Sequence, residues 1–270
     1  MASSLKKQHL ITVVSNDNRK FLLNPRELQF HIGLLGLGEI EPISSRMVRN
    51  FVSQGNTALD VGANYGWFST LLSKQVGSSG SVHSFEPVPK TFQILKRNCS
   101  ANSCNNIQLN QSGLSSEKTK TKIHVFHGQP CGNASIYNED NSKSDEFEIS
   151  LQSLDEYVRE QKIKKVNFIK CDAEGCEQKI IEGGRNTLAS QTPVILMEVN
   201  ESSRSKSMYG YEPKDLLQDL AKIASYRFYL IREHHEISEI ASIKDFHCGD
   251  FDANVLCVPN KPELIEKVHH

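Results

Sequence analysis

Short apolar runs alternate with stretches of helical period over most of this chain. Residues 57–61 (Thr-Ala-Leu-Asp-Val) make one such run. Phe68, Leu71, Leu72 and Val76 then recur at three- and four-residue spacing, which predicts a strand followed by a helix over 65–75. The pattern repeats as a strand at 81–85, a helix at 88–101 bearing Phe92, Leu95 and Cys99, and a strand at 106–111. It resumes with a buried strand from Val166, a helix at 176–189, a strand at 193–199 and a helix at 212–224 that Pro213 opens. Strands alternating with helices of this length predict an α/β fold, a mostly parallel sheet with helices on both faces. Two last strand segments, 227–232 and 254–258, predict an antiparallel pair at the sheet edge.

Two regions depart from that rhythm. Over 115–150, residues 120–126 and 146–151 alternate like strands around a polar loop at 128–145. A loop of this length in a compact domain is either a functional β-excursion beside the substrate or plain surface. Ser153, with Glu156 three residues on, predicts the N-cap of a short helix at 154–159. At the start of the chain, 10–14 and 20–23 flank Ser15-Asn16-Asp17-Asn18 as a β-hairpin. Pro25 opens a short helix through Phe30 and Ile32, and Pro42 opens one carrying Ile43, Met47, Val48 and Phe51. The expected organisation is an N-terminal hairpin-and-helix extension over 1–55, packed on a core domain over 56–268.

The chemistry gathers where strands end. Ligands in such folds bind at the carboxyl ends of the strands, near the reversal of strand order. By that geometry Asp60, Glu86 and the pair Gln111-Ser112 converge on one crevice. The first turn reads Asp60-Val61-Gly62-Ala63-Asn64-Tyr65-Gly66. Gly62 lets the backbone pass close to a ligand, and Gly66 lets the next helix start close to the strand. A dinucleotide fingerprint needs a second glycine where Asn64 stands, and Asp60 repels phosphate while attracting an ammonium or sulfonium. The second strand ends in Glu86-Pro87, placed to accept hydrogen bonds from ribose hydroxyls. The combination suits S-adenosylmethionine better than NAD. Asp60, Gly62, Asn64, Tyr65, Gly66, Glu86, Pro87, Gln111, Ser112 and Asp172 form the expected cofactor set, with Gln111-Ser112 toward the adenine.

Charge and composition narrow the partners. There are 31 basic and 32 acidic side chains, a formal net charge of −1, so no global field draws nucleic acid or an anionic membrane. No run of about 18 apolar residues is present to span a bilayer. The lysine-bearing start lacks an apolar signal core, and the seven cysteines make no CxxC or zinc spacing. A cytoplasmic location with reduced thiols is the expectation.

A second acid-tipped stretch carries the most specific signal: Phe168-Ile169-Lys170-x-Asp172-x-Glu174-Gly175-x-Glu177. Together with Glu41-Pro42, the Asp60–Gly66 turn, Phe85-Glu86-Pro87 and Asn110-Gln111-Ser112-Gly113-Leu114-Ser115, it resembles the FkbM family of S-adenosylmethionine-dependent methyltransferases. The resemblance covers roughly residues 38–200. Gln111-Ser112 depart from it, since alanine is common there in the family. The resemblance implies a seven-stranded Rossmann-like sheet and methyl transfer to a hydroxyl of a sugar, glycan or small-molecule metabolite.

Such a transfer is an in-line displacement, so holding the partners collinear supplies much of the rate. A hydroxyl is a poor nucleophile until a base takes its proton. Asp172, at the end of its strand, is the first choice for that base. Glu174 shares the task or holds the loop, and for Glu174 and Glu177 capping the next helix and pairing with Lys170 is at least as strong a reading as catalysis. Lys170 points away from Asp172 or ties the acids together. The expected catalytic set is Asp172, Glu174 and Lys170. Asp172 with Glu198 and Asn200 also offers the oxygen donors that hold Mg²⁺ in catechol-type methyltransferases, but acids end many parallel strands without a metal, so no metal ligand is assigned. His83, His124 and His127 are alternative bases, although strand histidines are usually packed. Trp67 reads as helix packing. The competing class is a binding or scaffold protein that keeps the fold without turnover, with an NAD enzyme third.

Overall fold

A computed structural model describes residues 10–25, 32–126, 134–137, 144–201, 205–233, 237–248 and 252–269. The chain opens with a hairpin, β1 (Ile11–Val14) and β2 (Lys20–Leu23), then α1 (Ile32–Leu37) and α2 (Pro42–Phe51). The core follows as β3 (Thr57–Val61), α3 (Trp67–Val76), β4 (Ser81–Phe85), α4 (Pro89–Ala101) and β5 (Ile107–Asn110). The excursion comprises β6 (Gly113–Ser115), β7 (Thr119–Phe126), β8 (Ala134–Ser135) and β9 (Ser144–Ser153). The alternation returns as α5 (Leu154–Glu160), β10 (Phe168–Cys171), α6 (Glu177–Gly183), α7 (Arg185–Gln191) and β11 (Val194–Val199). A π turn (Ser205–Tyr209) leads to α8 (Pro213–Ile223), β12 (Tyr226–Ile231), β13 (Ile237–Glu239), β14 (Ala253–Pro259) and α9 (Pro262–Ile265).

The main sheet has the order β13-β12-β14-β11-β10-β3-β4-β5. From β5 to β11 the strands are parallel. The chain builds outward from β3 to β5, then returns to lay β10 and β11 on the other side. The carboxyl ends of β3 and β10 therefore flank the switch point, where α/β sheets bind ligands. The expected final pair is β12 with β14, and it is antiparallel. It does not lie at the edge in the simple sense expected: β14 enters between β11 and β12, and all seven of its residues are buried, as an interior strand requires. The short β13 adds an eighth strand outside β12.

Alternation sorts side chains between two layers. Leu59, Val61, Ile169 and Cys171 join the core under the α5–α8 side, with Leu154, Ile180, Leu188 and Leu217. Ala58, Phe168 and Leu196 face the other way, toward Met47 and Val48 of α2 and Leu71 and Leu72 of α3. Asp60, Lys170 and Glu198 have the same parity as that second set. In register, Lys170 lies beside Asp60 and Glu198 beside Asn254. Leu196 is level with Lys170, so these are two polar pairs offset by two residues on one face of the sheet, the face toward α2 and α3.

The excursion strands form their own sheet in the order β6-β9-β7-β8, with Ile123, Ala134, Ile149 and Leu151 packed on Val88. The N-terminal hairpin docks on α4, where Asn98 Oδ1 accepts from the Leu22 N–H (2.7 Å) and Asn102 Oδ1 from the Lys20 N–H (2.8 Å). The Arg19 guanidinium lies 4.0 Å over the Trp67 ring, whose Nε1 donates to Ser45 Oγ (2.9 Å). Trp67 is a packing residue that ties α2 to α3.

Candidate active site

A cavity of about 460 Å³ opens at the switch point. Among the described residues six carboxylates line it, from Glu41, Asp60, Glu86, Asp172, Glu174 and Glu198, together with the Lys170 ammonium. The end beyond Glu86 is apolar, walled by Val88, Leu114, Ile123, Ile149 and Leu151. Acids far apart in sequence meet here because their strands are neighbours in one sheet.

The β3 turn is built around glycines. Gly62 has φ +79°, and a Cβ there would overlap the carbonyl oxygen of Asp172. Glycine is thus required by the abutting β10 turn, a different neighbour from the ligand that the sequence suggested. Gly66 (φ +88°) is close not to the strand but to α4, since a Cβ would lie 2.6 Å from Leu95 Cδ1. The Gly62 and Ala63 N–H groups both donate to the Phe85 carbonyl, so the turn is fastened to the end of β4. Asp60 is 1% exposed, and the Ser69 hydroxyl donates to its Oδ2 at 2.5 Å. Burial raises its pKa to about 6. Glu86 accepts from the Val88 N–H (2.8 Å) and the Asn64 N–H (3.0 Å), and burial raises it to about 7.

The β10 turn is organised differently. Glu177 is buried and accepts from the N–H groups of Ala173 (2.7 Å) and Gly175 (3.0 Å) and from the Tyr211 hydroxyl (3.1 Å). It thus ties down the turn ahead of α6 rather than capping that helix, whose N-cap makes no side-chain hydrogen bond, and burial raises its pKa. Glu174 takes a left-handed backbone (φ 49°) and turns its side chain to the cavity. Lys170 ties the acids together: its ammonium lies 3.4 Å from Asp172 Oδ2 and 3.2 Å from Asn254 Oδ1. Burial opposes its charge, yet Asp172, Glu41, Glu198 and Asp60 outweigh that and leave its pKa raised. Glu198 is pushed well above the carboxylate range by burial and by Asp172. Oxygens of Asp172, Glu174 and Glu198 come within 4.8 Å of one another. The Asn200 amide turns an N–H toward Glu198 (3.4 Å), and its buried Oδ1 has no hydrogen-bond partner among the described residues.

Asn64, Tyr65, Gly62 and Pro87 line the cavity, and Gly66 lies one residue from its wall. Gln111 and Ser112 do not reach it: β5 stops at Asn110, the chain bends, and Gly113 and Leu114 of β6 occupy the wall instead. Gln111 is exposed. Among the described residues no histidine lines the cavity. His83 is packed mid-strand, its Nδ1 2.8 Å from the Tyr157 hydroxyl, and burial lowers its pKa. His124 sits in β7 near Ser144, while His127 and most of the 128–145 loop fall outside the described residues. Residues that sequence reasoning left out of the site are Glu41, Asn254 and the apolar wall. The Glu41-Pro42 pair was a usable signal for the first. The alternating apolar residues of 120–126 and 146–151 were one for the wall.

Comparison with known proteins gives the family. The profile of the methyltransferase FkbM domain matches residues 60–237. Methyltransferase 1 of Beauveria bassiana (strain ARSEF 2860) is 28% identical over 143 residues, 46% of this chain and 57% of that protein. The hexuronic acid methyltransferase AglP of Haloferax volcanii is 28% identical over 177 residues, 66% of each chain. The chain spans under two thirds of the length of the first two curated relatives, 57% and 59%. Among solved structures, methyltransferase FkbM from Methylobacillus flagellatus KT aligns with a TM-score of 0.48 at 18% identity, over 75% of this chain and 43% of that one. Aeropyrum pernix fibrillarin, solved with S-adenosyl-L-methionine, aligns at 0.46 and 13%, over 95% and 85%. With its profile running through both acid-tipped turns, the chain belongs to the methyltransferase FkbM domain family.

Proposed function

We propose that this protein is an S-adenosylmethionine-dependent methyltransferase acting on a hydroxyl of a sugar, glycan or small metabolite. The observation that carries it is the meeting of Asp60, Glu86 and Asp172 in one cavity. The donor set fits the cofactor along its length. Carboxylates at the Asp60 end suit its ammonium and sulfonium, Glu86 suits the ribose diol, and Ile123, Ile149 and Leu151 suit a flat purine. A phosphate-bearing dinucleotide meets six acids against the one Lys170 ammonium and is disfavoured.

The bound cofactor supplies an electrophilic methyl group on a cationic sulfur. Asp60 and the Asn64 turn hold and orient, and the buried walls exclude water. Asp172 is the least buried of the three strand-end acids, with a side chain 30% exposed, and so is the one open to an incoming hydroxyl. It accepts that hydroxyl's proton as the oxygen attacks. Lys170 fixes the Asp172 carboxylate from behind. Glu174 and Glu198 offer acceptors for neighbouring hydroxyls, the pattern a polyol presents. The hexuronic acid named for the Haloferax volcanii relative makes sugars the first acceptors to try, neutral ones suiting the acidic lining and uronic acids tested beside them.

Calorimetry with S-adenosylhomocysteine and with NADH tests the cofactor, and labelled methyl donor with hexuronic acids, hexoses, glycosides, hydroxylated metabolites and a short RNA tests the acceptor. Heat with the first ligand alone and label on a sugar or metabolite oxygen are expected. No heat with S-adenosylhomocysteine would overturn the proposal, and heat without transfer to any acceptor would favour a binding protein.

A further inference from the structure

Glu41 stands where a glutamate is poorly accommodated. Its backbone is left-handed (φ 44°, ψ 69°), which L side chains disfavour, and the residue is half-buried in the cavity wall. Capping of α2 does not explain it, because Glu233 takes the N–H groups of Ile43 (2.8 Å) and Ser44 (2.9 Å). Instead Glu41 Oε2 accepts from Asn254 Nδ2 at 2.9 Å. The Asn254 Oδ1 accepts from Lys170 Nζ at 3.2 Å, and the same ammonium reaches Asp172. With a carboxylate on one side and an ammonium on the other, only this amide orientation satisfies both neighbours. The chain Glu41–Asn254–Lys170–Asp172 joins four segments: the residue before α2, then β14, β10 and the β10 turn.

Lys170 needs such a guide. It is 1% exposed, lies 5.2 Å from the centre of the Phe68 ring, and has Asp60 and Glu198 as rival partners besides Asp172. An ammonium has three donors on a flexible stem, so its direction is set by which acceptors are fixed. Asn254 is fixed by Glu41. We propose that Glu41 and Asn254 are positioning residues that aim the Lys170 ammonium at Asp172 and so orient the carboxylate that receives the acceptor's proton. This rests on the methyl-transfer reading above.

Charge-preserving exchange tests it. Asn254→Asp alone sets two carboxylates against each other. Glu41→Gln with Asn254→Asp restores the link: the new amide donates to the new carboxylate, which still accepts from Lys170, and net charge is unchanged. In protein labelled at lysine Cε with S-adenosylhomocysteine present, the Lys170 NMR signal is the one lost in Lys170→Met, or in Lys170→Arg should the first not fold. That signal is expected to move in Asn254→Asp and return in the double variant. With the best acceptor from the panel, kcat is expected to fall about tenfold and recover to within about threefold, cofactor affinity holding within about threefold throughout. An unmoved Lys170 signal in Asn254→Asp, or a double variant no nearer to the wild type than the single, would overturn the proposal. The signal reports on the chain of hydrogen bonds even when no acceptor is found, and absence of heat with S-adenosylhomocysteine strikes the cofactor reading alone.

Discussion

The turns after β3 and β10 look alike in sequence, an apolar strand running into an acid and then a glycine, yet they are built differently, and the proposed function gives them opposite duties. Their strands are parallel neighbours with Asp60 level with Lys170, so Asp172 projects two residues beyond Asp60. Asp60 is sunk into the sheet and hydrogen-bonded by Ser69. Asp172 clears the sheet and is steered by one lysine. An acid that is solvated by fixed hydroxyls holds a ligand, whereas one left open to the cavity can exchange a proton. On the proposed reading, register decides which of the two an aspartate becomes.

Breaking the junction between the turns has the largest expected effect. Gly62→Ala forces a side chain into the Asp172 carbonyl at a left-handed φ, and is expected to cost at least about 3 kcal/mol in urea denaturation. Gly175→Ala, whose Cβ meets the Tyr209 ring instead of backbone, is expected to cost less, about 1–2 kcal/mol. Next come the acids themselves. Asp172→Asn is expected to lower methyl transfer about 10²–10⁴-fold with S-adenosylhomocysteine affinity nearly unchanged, while Asp60→Asn weakens that affinity about tenfold. Equal effects of the two on affinity would erase the distinction.

The holding acids also predict opposed pH trends. Burial places Glu86 at about 7 and Asp60 at about 6, above their values in an unfolded chain. The folded state therefore keeps protons that the unfolded state releases, so their contribution to stability is full below about pH 4 and is lost as pH rises through 6 and 7. Ligand binding wants the carboxylates ionised. Between about pH 5.5 and 8 the unliganded protein is expected to lose denaturation midpoint while S-adenosylhomocysteine affinity rises, at most about tenfold per unit for each acid. Glu86→Gln is expected to flatten both profiles. The smallest effect is assigned to Gln111→Ala with Ser112→Ala, less than about twofold in affinity by calorimetry, because neither side chain lines the cavity.

The alternation of strand and helix was legible because period survives in the order of residues: 57–61, 81–85 and 193–199 each became a strand close to the expected bounds. Asp60, Glu86 and Asp172 were legible because strand ends in a parallel sheet share an edge. The insertion of β14 beside β11 was not, since nothing local to 253–259 names its neighbours. Gln111 and Ser112 fall outside the cavity lining because the chain bends after Asn110 and swings β6 into the wall ahead of them. Glu41 was quoted in the family motif but left out of the site, because its place depends on contacts with β14, some 200 residues away.

Glu177 bears on how the protein responds to what enters it. A single carboxylate grips the backbone on both sides of Glu174 and also the hydroxyl of Tyr211, just past the π turn. Tyr209 of that π turn rests on Gly175 as well. Tyr211 is itself buried, so the π turn acts as a buttress from behind: the place of the Glu174 carboxylate in the cavity wall is set by a segment that does not line the cavity.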